Sequence, residues 1–350
     1  MQIKKLNIQF HTPAFLGDAT QSGRWRTPPF KAQLRQWWRV AYATEKRFVV
    51  NVAQMREAEG LLLGHAWLEN DRDAGGEKIS ARKSEVRLRL SHWSEGKEKT
   101  WQAADTGITH PEVPKQVGAH LYMGFGPLEY NRDKRTTVLK KAAAIQAQEK
   151  AELSIAYPDA EASRIESALH MMSLYGTVGG RSRNGWGSYS LDFSKQDMTA
   201  PMRPWLDCMA SDWPHAIGLH DDGRPLIWQT KPHKGWAVLM KTLAQIKIAL
   251  RTTAFKFPHA QPDGQVHDRH WLSYPVTKHA VASWGNNARL PNTLRFKVRP
   301  TADGQLVGVI FHVPHKPPAD FRPDAATLER IWRQVHSQLD QTPDLQRIAA

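Results

Sequence analysis

Two sets of cations are the residues whose types and spacing promise chemistry. Between Gly176 and Gly187 five of twelve residues are glycine, and the only charges are Arg181 and Arg183. Glycine allows positive φ and close approach of the main chain. Amides at Gly179, Gly180, Gly185 and Gly187, with Arg181, Ser182, Arg183 and Asn184, would therefore suit a phosphate oxyanion. Lys31, Arg35 and Arg39 recur every fourth residue and would line one side of a helix, with Arg24 and Arg26 just upstream. Trp25, between those two arginines, and Trp186, between two loop glycines, are placed to stack on unpaired bases. Such groups bind a polyanion. The plainer alternatives are a solvated helix face and a glycine-rich connection, with the tryptophans in a core.

Covalent chemistry has a thinner signature. The glycine loop follows a helix and precedes a strand, the reverse of a nucleotide-binding P-loop, and lacks its Gly-Lys-Ser/Thr ending. No Gly-x-Ser-x-Gly elbow and no His-Glu-x-x-His occur. The single cysteine, Cys208, has no context that marks a nucleophile and reads as a small core residue. Of sixteen histidines, His259, His267 and His270 fall in one loop without metal-ligand spacing, so neither a metal nor a cofactor is expected. Acid-base cleavage of RNA needs only a histidine near the 2'-hydroxyl. His11 and His170 are the candidates, and Asp18 could assist a metal-dependent cut, although an aspartate in a polar turn is ordinarily a turn residue.

The elements that must position these groups follow from periodicity. Leu6, Ile8 and Phe10 alternate with polar residues as a strand, and Thr27-Pro28-Pro29 reads as the cap and first turn of a helix over residues 30–50. Leu34, Trp37, Trp38 and Ala41 form its apolar face. Residues 69–83 and 102–118 read as loops, 86–90, 120–128 and 144–157 as strands, and 131–135 as a basic turn. A helix at 159–175 leads into the glycine loop and a strand beyond it. This β-α-β-β-α-β order suggests α+β architecture with a ferredoxin-like first domain over residues 1–195. Residues 198–204 look like a linker. The second half, 196–350, partly repeats the scheme as a second ferredoxin-like (RRM-like) domain with loop insertions. It has a helix at 236–254, a hairpin from Leu294 to Val313 and a helix at 324–340. Arg295, Lys297 and Arg299 alternate with Leu294, Phe296 and Val298, which suggests a sheet strand with a basic outer row.

A length of 350 residues fits two domains, and a formal charge of +14 favours nucleic acid or an anionic surface as partner. No apolar run reaches the roughly 20 residues a bilayer needs. The N-terminus patterns as a strand rather than a leader, so a cytoplasmic location is expected and no membrane partner.

Two motifs together resemble a known family. Gly179-Gly-Arg-Ser-Arg-Asn-Gly-Trp-Gly-Ser188 resembles the glycine-rich loop of the RAMP superfamily of CRISPR proteins. Thr12-Pro-Ala-Phe-Leu-Gly17 with Arg26-Thr-Pro-Pro-Phe-Lys-Ala-Gln-Leu-Arg-Gln-Trp-Trp-Arg39 resembles its Cmr branch, at the first RAMP subunit of type III-B effectors. Glu59-Gly-Leu-Leu-Leu-Gly64, Trp271-Leu-Ser-Tyr-Pro275 and Arg289-Leu-Pro-Asn-Thr-Leu-Arg295 are similar to further segments of that family. The resemblance implies two ferredoxin-like domains in a multisubunit ribonucleoprotein. It also implies as partners a CRISPR guide RNA, complementary target RNA or DNA, and other RAMP subunits. In that family the first subunit caps the 3' region of the guide, and a neighbouring subunit cuts the target. Gly17-Asp18 stands where relatives often have Gly-Gly, and Asn184 where an arginine is common. The alternative function is a RAMP endoribonuclease acting on repeat or target RNA. Such processing enzymes generally carry the glycine loop near the C-terminus, whereas about 160 residues follow it here.

Overall fold

The computed structural model describes residues 1–193, 200–259 and 262–349. Strand β1 (Gln2–Phe10) is followed by helices α1 (Thr27–Glu45) and α2 (Val52–Leu63) and strand β2 (Arg87–Leu90). A hairpin of β3 (Gly107–His110) and β4 (Val113–Gly118) leads to α3 (Ala119–Gly124) and a second hairpin of β5 (Leu128–Asn131) and β6 (Thr136–Leu139). β7 (Lys150–Tyr157), α4 (Ala162–Tyr175) and β8 (Tyr189–Leu191) come next. The second half comprises β9 (Met202–Pro204), α5 (Trp205–Cys208), β10 (Ile217–Leu219), β11 (Ile227–Thr230), α6 (Trp236–Thr252), β12 (Leu294–Pro300), β13 (Leu306–His312), α7 (Ala325–Asp340) and β14 (Leu345–Arg347). The architecture is α+β.

Two four-stranded antiparallel sheets organise it, with orders β2-β7-β1-β8 and β12-β13-β11-β14. Counting the strands of each sheet in chain order, both read second, third, first, fourth. β1 buries Leu6, Ile8 and Phe10 and exposes Lys5 and Asn7, as its alternation requires. Phe30, Leu34 and Trp37 of α1 and Ile165 and Leu169 of α4 share one core with them. That core continues into the second sheet. Val307, Val309 and Phe311 of β13 belong to it, with the Phe311 ring centroid 6.2 Å from Trp37 and 5.0 Å from Tyr175. Leu306 and Ile310 of the same strand join Leu243 of α6 and Ile331 of α7 in a second core. β13 is thus buried on both faces, and α1 and α4 lie between the two sheets.

Several expectations are corrected. Residues 107–118 form a hairpin rather than loop. Pro114 is accommodated because β3 and β4 make a sheet of only two strands, leaving an outer edge where no N-H is needed. Residues 120–128 begin as helix α3, not a strand. The Asp105 carboxylate accepts from the N-H groups of His120 (2.6 Å) and Leu121 (3.0 Å), holding the first turn from outside it. The strand expected from Ala144 starts at Lys150, after a turn in which Gln148 has φ +72°. α1 ends at Glu45 instead of Val50, where Arg47 and Phe48 turn to positive φ. Its N-cap is Arg26 rather than Thr27, without a side-chain cap bond. Met202–Pro204 of the supposed linker pair with Ile217–Leu219 as parallel strands. Met198, Thr199 and the boundary placed between residues 195 and 196 lie outside the described residues.

The largest correction concerns β12. Its basic row does not face solvent: Arg295 is buried and Lys297 fully so. The Lys297 ammonium donates to the carbonyls of Gly176 (2.6 Å) and Tyr189, on either side of the glycine loop. It also lies 4.8 Å from the centre of the Tyr189 ring. Burial pushes its pKa well below the ordinary lysine value, with Arg299 adding to the effect. The first half of the chain covers the outer face of the second sheet.

A core shared between the sheets should unfold as one. Phe311→Ala should cost about 3 to 5 kcal/mol through the cavity it leaves. Circular dichroism and tryptophan fluorescence should still report one coincident transition. Separate transitions for the two halves would contradict the shared core.

Candidate nucleic-acid interface

The two motifs that carry the family resemblance are one piece of structure. Gly180 N-H donates to Phe15 C=O (2.9 Å) and Gly187 N-H to Pro13 C=O (2.8 Å). The Thr12 hydroxyl donates to Gly185 C=O (2.8 Å) and accepts from Ser188 N-H (3.0 Å). Gly185 N-H is taken by Ser182 C=O (3.0 Å) and Asn184 N-H by Arg181 C=O (2.9 Å). A cradle of loop amides around a phosphate is therefore corrected at Gly180 and Gly185 and at Gly187, because their donors already have intramolecular partners. The glycines serve close packing instead. A Cβ on Gly187, at φ +63°, would lie 1.9 Å from Val178 O, and one on Gly179, at φ +91°, 2.7 Å from Phe15 O. Gly180 lies outside the positive-φ region and is confined by Pro127, whose Cγ would be 3.0 Å from its Cβ.

What the loop offers outward is side chains. Arg181, itself at φ +56°, is exposed and donates through Nε to Phe125 C=O (2.6 Å). Arg183 is exposed too, and Ser182 half-buried. Asn184 turns inward, donating to Met123 C=O (2.7 Å) and accepting from the Lys247 ammonium (2.7 Å). An arginine at 184 would set a second cation against Lys247. Burial, then Arg251 and Arg181, bring the Lys247 pKa down to about 7.

The α1 row is largely internal. Buried Glu59 of α2 accepts from Arg35 Nη1 (3.1 Å) and from Arg39 Nη2 (3.0 Å) and Nε. Arg35 also donates to the carbonyls of Leu63 (2.8 Å) and Gly64, and Arg39 lies 4.4 Å from the centre of the Trp213 ring. Glu59-Gly-Leu-Leu-Leu-Gly64 is thus the counterpart of the α1 arginines. Arg35 and Arg39 tie helices together and are corrected as free phosphate ligands. Lys31 is half-buried, its pKa lowered by burial and by Arg35. Arg24 is exposed, 3.4 Å from the Asp18 carboxylate and donating to Trp93 C=O (3.2 Å). Arg26, half-buried, donates to Gly17 C=O.

Neither stacking candidate is available. Trp25 is fully buried and donates to the Glu149 carboxylate (3.1 Å). Trp186 is fully buried among Phe15, Trp101 and Trp236, at centroid distances of 5.4 to 5.8 Å. The catalytic candidates also have internal settings. His11 is buried with Nε2 2.9 Å from Ser190 Oγ, and burial, aided by Lys297, lowers its pKa to about 4. His170 is buried on α4, edge-on to Phe193. Asp18 accepts from the N-H groups of Thr20 (2.9 Å) and Ser22 (3.1 Å), which is a turn-forming role. His270 packs beside Phe257, and His267 pairs with Asp263 (2.8 Å). Among the described residues no group of His, Cys, Asp or Glu is arranged for a metal ion, and no helix is long and apolar enough to cross a membrane.

The structure brings forward a surface that sequence reasoning passed over. Beside Arg181 stands Phe125, 65% exposed, and the β5–β6 hairpin carries Tyr130, 54% exposed. Arg132, Lys134, Arg135, Lys140 and Lys141 on and after this hairpin are all exposed. Lys140 N-H donates to Pro127 C=O (3.0 Å), the residue against Gly180, so the hairpin is anchored at the glycine loop. The basic turn at 131–135 was legible; the anchoring of its hairpin's base at the glycine loop depends on tertiary contacts.

Among solved structures the chain is similar to proteins of the Cmr branch, the group its motifs resemble. Cmr1 from Pyrococcus furiosus in its apo form aligns over 99% of this chain and 98% of that one, at 14% identity and a TM-score of 0.45. A chain of the type III-B Cmr-beta complex bound to cognate target RNA aligns over 95% and 99%, at 10% identity and a TM-score of 0.46. No protein-family model matches the sequence, and no curated protein does.

Glu59→Ala should destabilise the fold by roughly 3 kcal/mol, since it strands two guanidinium groups at a buried position. Chemical denaturation at neutral pH measures this, and an unchanged midpoint would show that the α1 row is free. Stability should also fall on acidification from about pH 6.5 towards 4. Over that window the unfolded chain binds protons that buried His11 and His270 and half-buried His315, with folded pKa values near 4, do not accept. Melting curves across this range should show a smaller decline for His11→Gln than for wild type.

Proposed function

We propose that this chain is an RNA-binding subunit of a type III-like CRISPR ribonucleoprotein effector. In this reading it acts in the cytoplasm with other RAMP subunits, holding the guide RNA and helping to capture a complementary nucleic acid. The observation that carries the RNA-binding role is the exposed surface formed by Arg181, Phe125 and the basic hairpin with Tyr130. It joins phosphate-binding cations to aromatic rings open to stacking, the combination that single-stranded nucleic acid requires. The CRISPR context is supported by the paired motifs at residues 12–39 and 179–188, whose hydrogen bonding to each other gives them a common structural purpose. We further assign both sheets, with their helices, to ferredoxin-like units divided near residue 195. The repeated strand order supports this, as does a β-α-β-β-α-β connectivity in each half.

Single-stranded RNA should bind the pure protein with affinity that falls steeply with salt, by about 0.7 log units per tenfold salt for each phosphate neutralised. Joint replacement of Arg132, Lys134 and Arg135 by alanine should make that slope shallower by up to about 2, and Tyr130→Ala should cost about 1 to 3 kcal/mol of binding. Filter binding at three salt concentrations provides the measurement. Wild-type affinity and slope in both variants would remove the hairpin from the interface. Discrete cleavage of repeat RNA without added metal would move the reading to an endoribonuclease.

A further inference from the structure

The β12 row presents three cations to the first half of the chain, and two of them have partners there. Lys297 donates to two carbonyls, and Arg299 lies 5.7 Å from the centre of the Tyr175 ring. Arg295 differs. It is only 7% exposed, its Nε has no hydrogen-bond partner, and no ion pair among the described residues includes it. A guanidinium buried without a counter-charge is unfavourable unless something anionic completes it.

Its surroundings lack that anion. Phe296 N-H donates to Arg183 C=O (3.1 Å), so the main chain holds the glycine loop directly against this part of β12. Burial, and then the neighbouring charges of Arg183 and Arg39, lower the Arg295 pKa to about 9. Arg39 is bonded to Glu59, whose carboxylate Arg35 shares, so that carboxylate is already taken up by two other guanidinium groups. The nearby imidazoles supply no negative charge. His315 is kept neutral at pH 7 by burial, and His215 lies between Trp213 C=O (2.8 Å) and Arg203 (2.8 Å). Arg183, in contrast to Arg295, is open to solvent.

We propose that Arg295 and Arg183 form an inner phosphate site at the seam between the two halves of the chain. Arg183 reaches a phosphate group from the surface, and Arg295 receives it from within. The planar guanidinium fork matches two phosphate oxygens, and the bound anion supplies the charge that the buried Arg295 lacks. The ligand class is a phosphate group, and the source to which we assign it is the backbone of the RNA in the reading above, on which this assignment of source rests. The exposed hairpin and this seam would then be two contacts on one strand, joined through the glycine loop.

The test uses the full chain in chloride buffers of matched ionic strength, with either millimolar inorganic phosphate or a short single-stranded RNA added. Either ligand should raise the wild-type melting temperature, and Arg295→Met should lose that rise while melting no lower than wild type without ligand. RNA affinity of the variant should fall about tenfold. Arg183→Gln, at an exposed position, provides a second variant should Arg295→Met fold poorly, and it should lose the phosphate-induced shift as well. Stabilisation by RNA alone that depends on Arg295 supports a backbone-phosphate site. Stabilisation by inorganic phosphate alone that depends on Arg295 keeps the site and overturns the RNA source. Equal shifts in wild type and both variants, or no shift with either ligand, overturn the site itself.

Discussion

One buried ammonium decides how the molecule is assembled. Lys297 comes from the second sheet, yet the carbonyls that receive it, those of Gly176 and Tyr189, flank the glycine loop of the first half. A lysine loses hydration when fully buried, and only a site that supplies acceptors at the right positions makes that tolerable. The loop must therefore begin and end where Lys297 can reach both carbonyls. Val298 N-H, bonded to Ser188 Oγ (2.8 Å), and Phe296 N-H, bonded to Arg183 C=O, fix the same register along β12. The positions of Arg181 and Arg183 follow from this seam, since the turn that carries them is tied at both ends.

The glycine density of the loop has a physical reading distinct from phosphate binding. Its amides are directed at Phe15 and Pro13 of the segment after β1 and at the loop's own carbonyls, while Thr12 and Ser188 exchange hydrogen bonds around Gly185 C=O. Two main-chain segments cross with almost no room for side chains, and glycine is the residue that allows this. What projects outward is the side chains of Arg181 and Arg183. The helical stripe on α1 shows the converse: its four-residue spacing is a sign of position, and a single buried glutamate 20 residues beyond Arg39 converts it into scaffold.

Much of the architecture was legible because it rests on local periodicity. The apolar faces of α1, α4, α6 and α7, the alternation in β1 and the turn at Asp303-Gly304 each announce their element. What escaped depends on contacts distant in sequence. α3 is only six residues long and is held by Asp105, which lies outside the helix. Trp25 and Trp186 look accessible beside arginine or glycine, but Glu149 and a cage of aromatic rings enclose them. The burial of Arg295 and Lys297 did leave a trace. The neighbouring strand, Leu306–His312, has no polar side chain before its last residue, a pattern expected of a strand covered on both faces. A sheet covered on both faces at β13 could not expose β12 freely. Of the proposed interface, Arg181, Arg183 and the basic turn stand out in the sequence as exposed cations, whereas the settings of Phe125, Tyr130 and Arg295 depend on how distant segments meet.

The bonds from β12 to the glycine loop bear on solubility as well. β12 is the border strand of its sheet, and a border strand with free N-H groups recruits other chains into intermolecular β-structure. Here Phe296 N-H and Val298 N-H are already occupied by the chain's own loop, across the middle of the strand. The crossing that positions the arginines thereby also shields a border strand from self-association, so loosening the loop would uncover an adhesive edge.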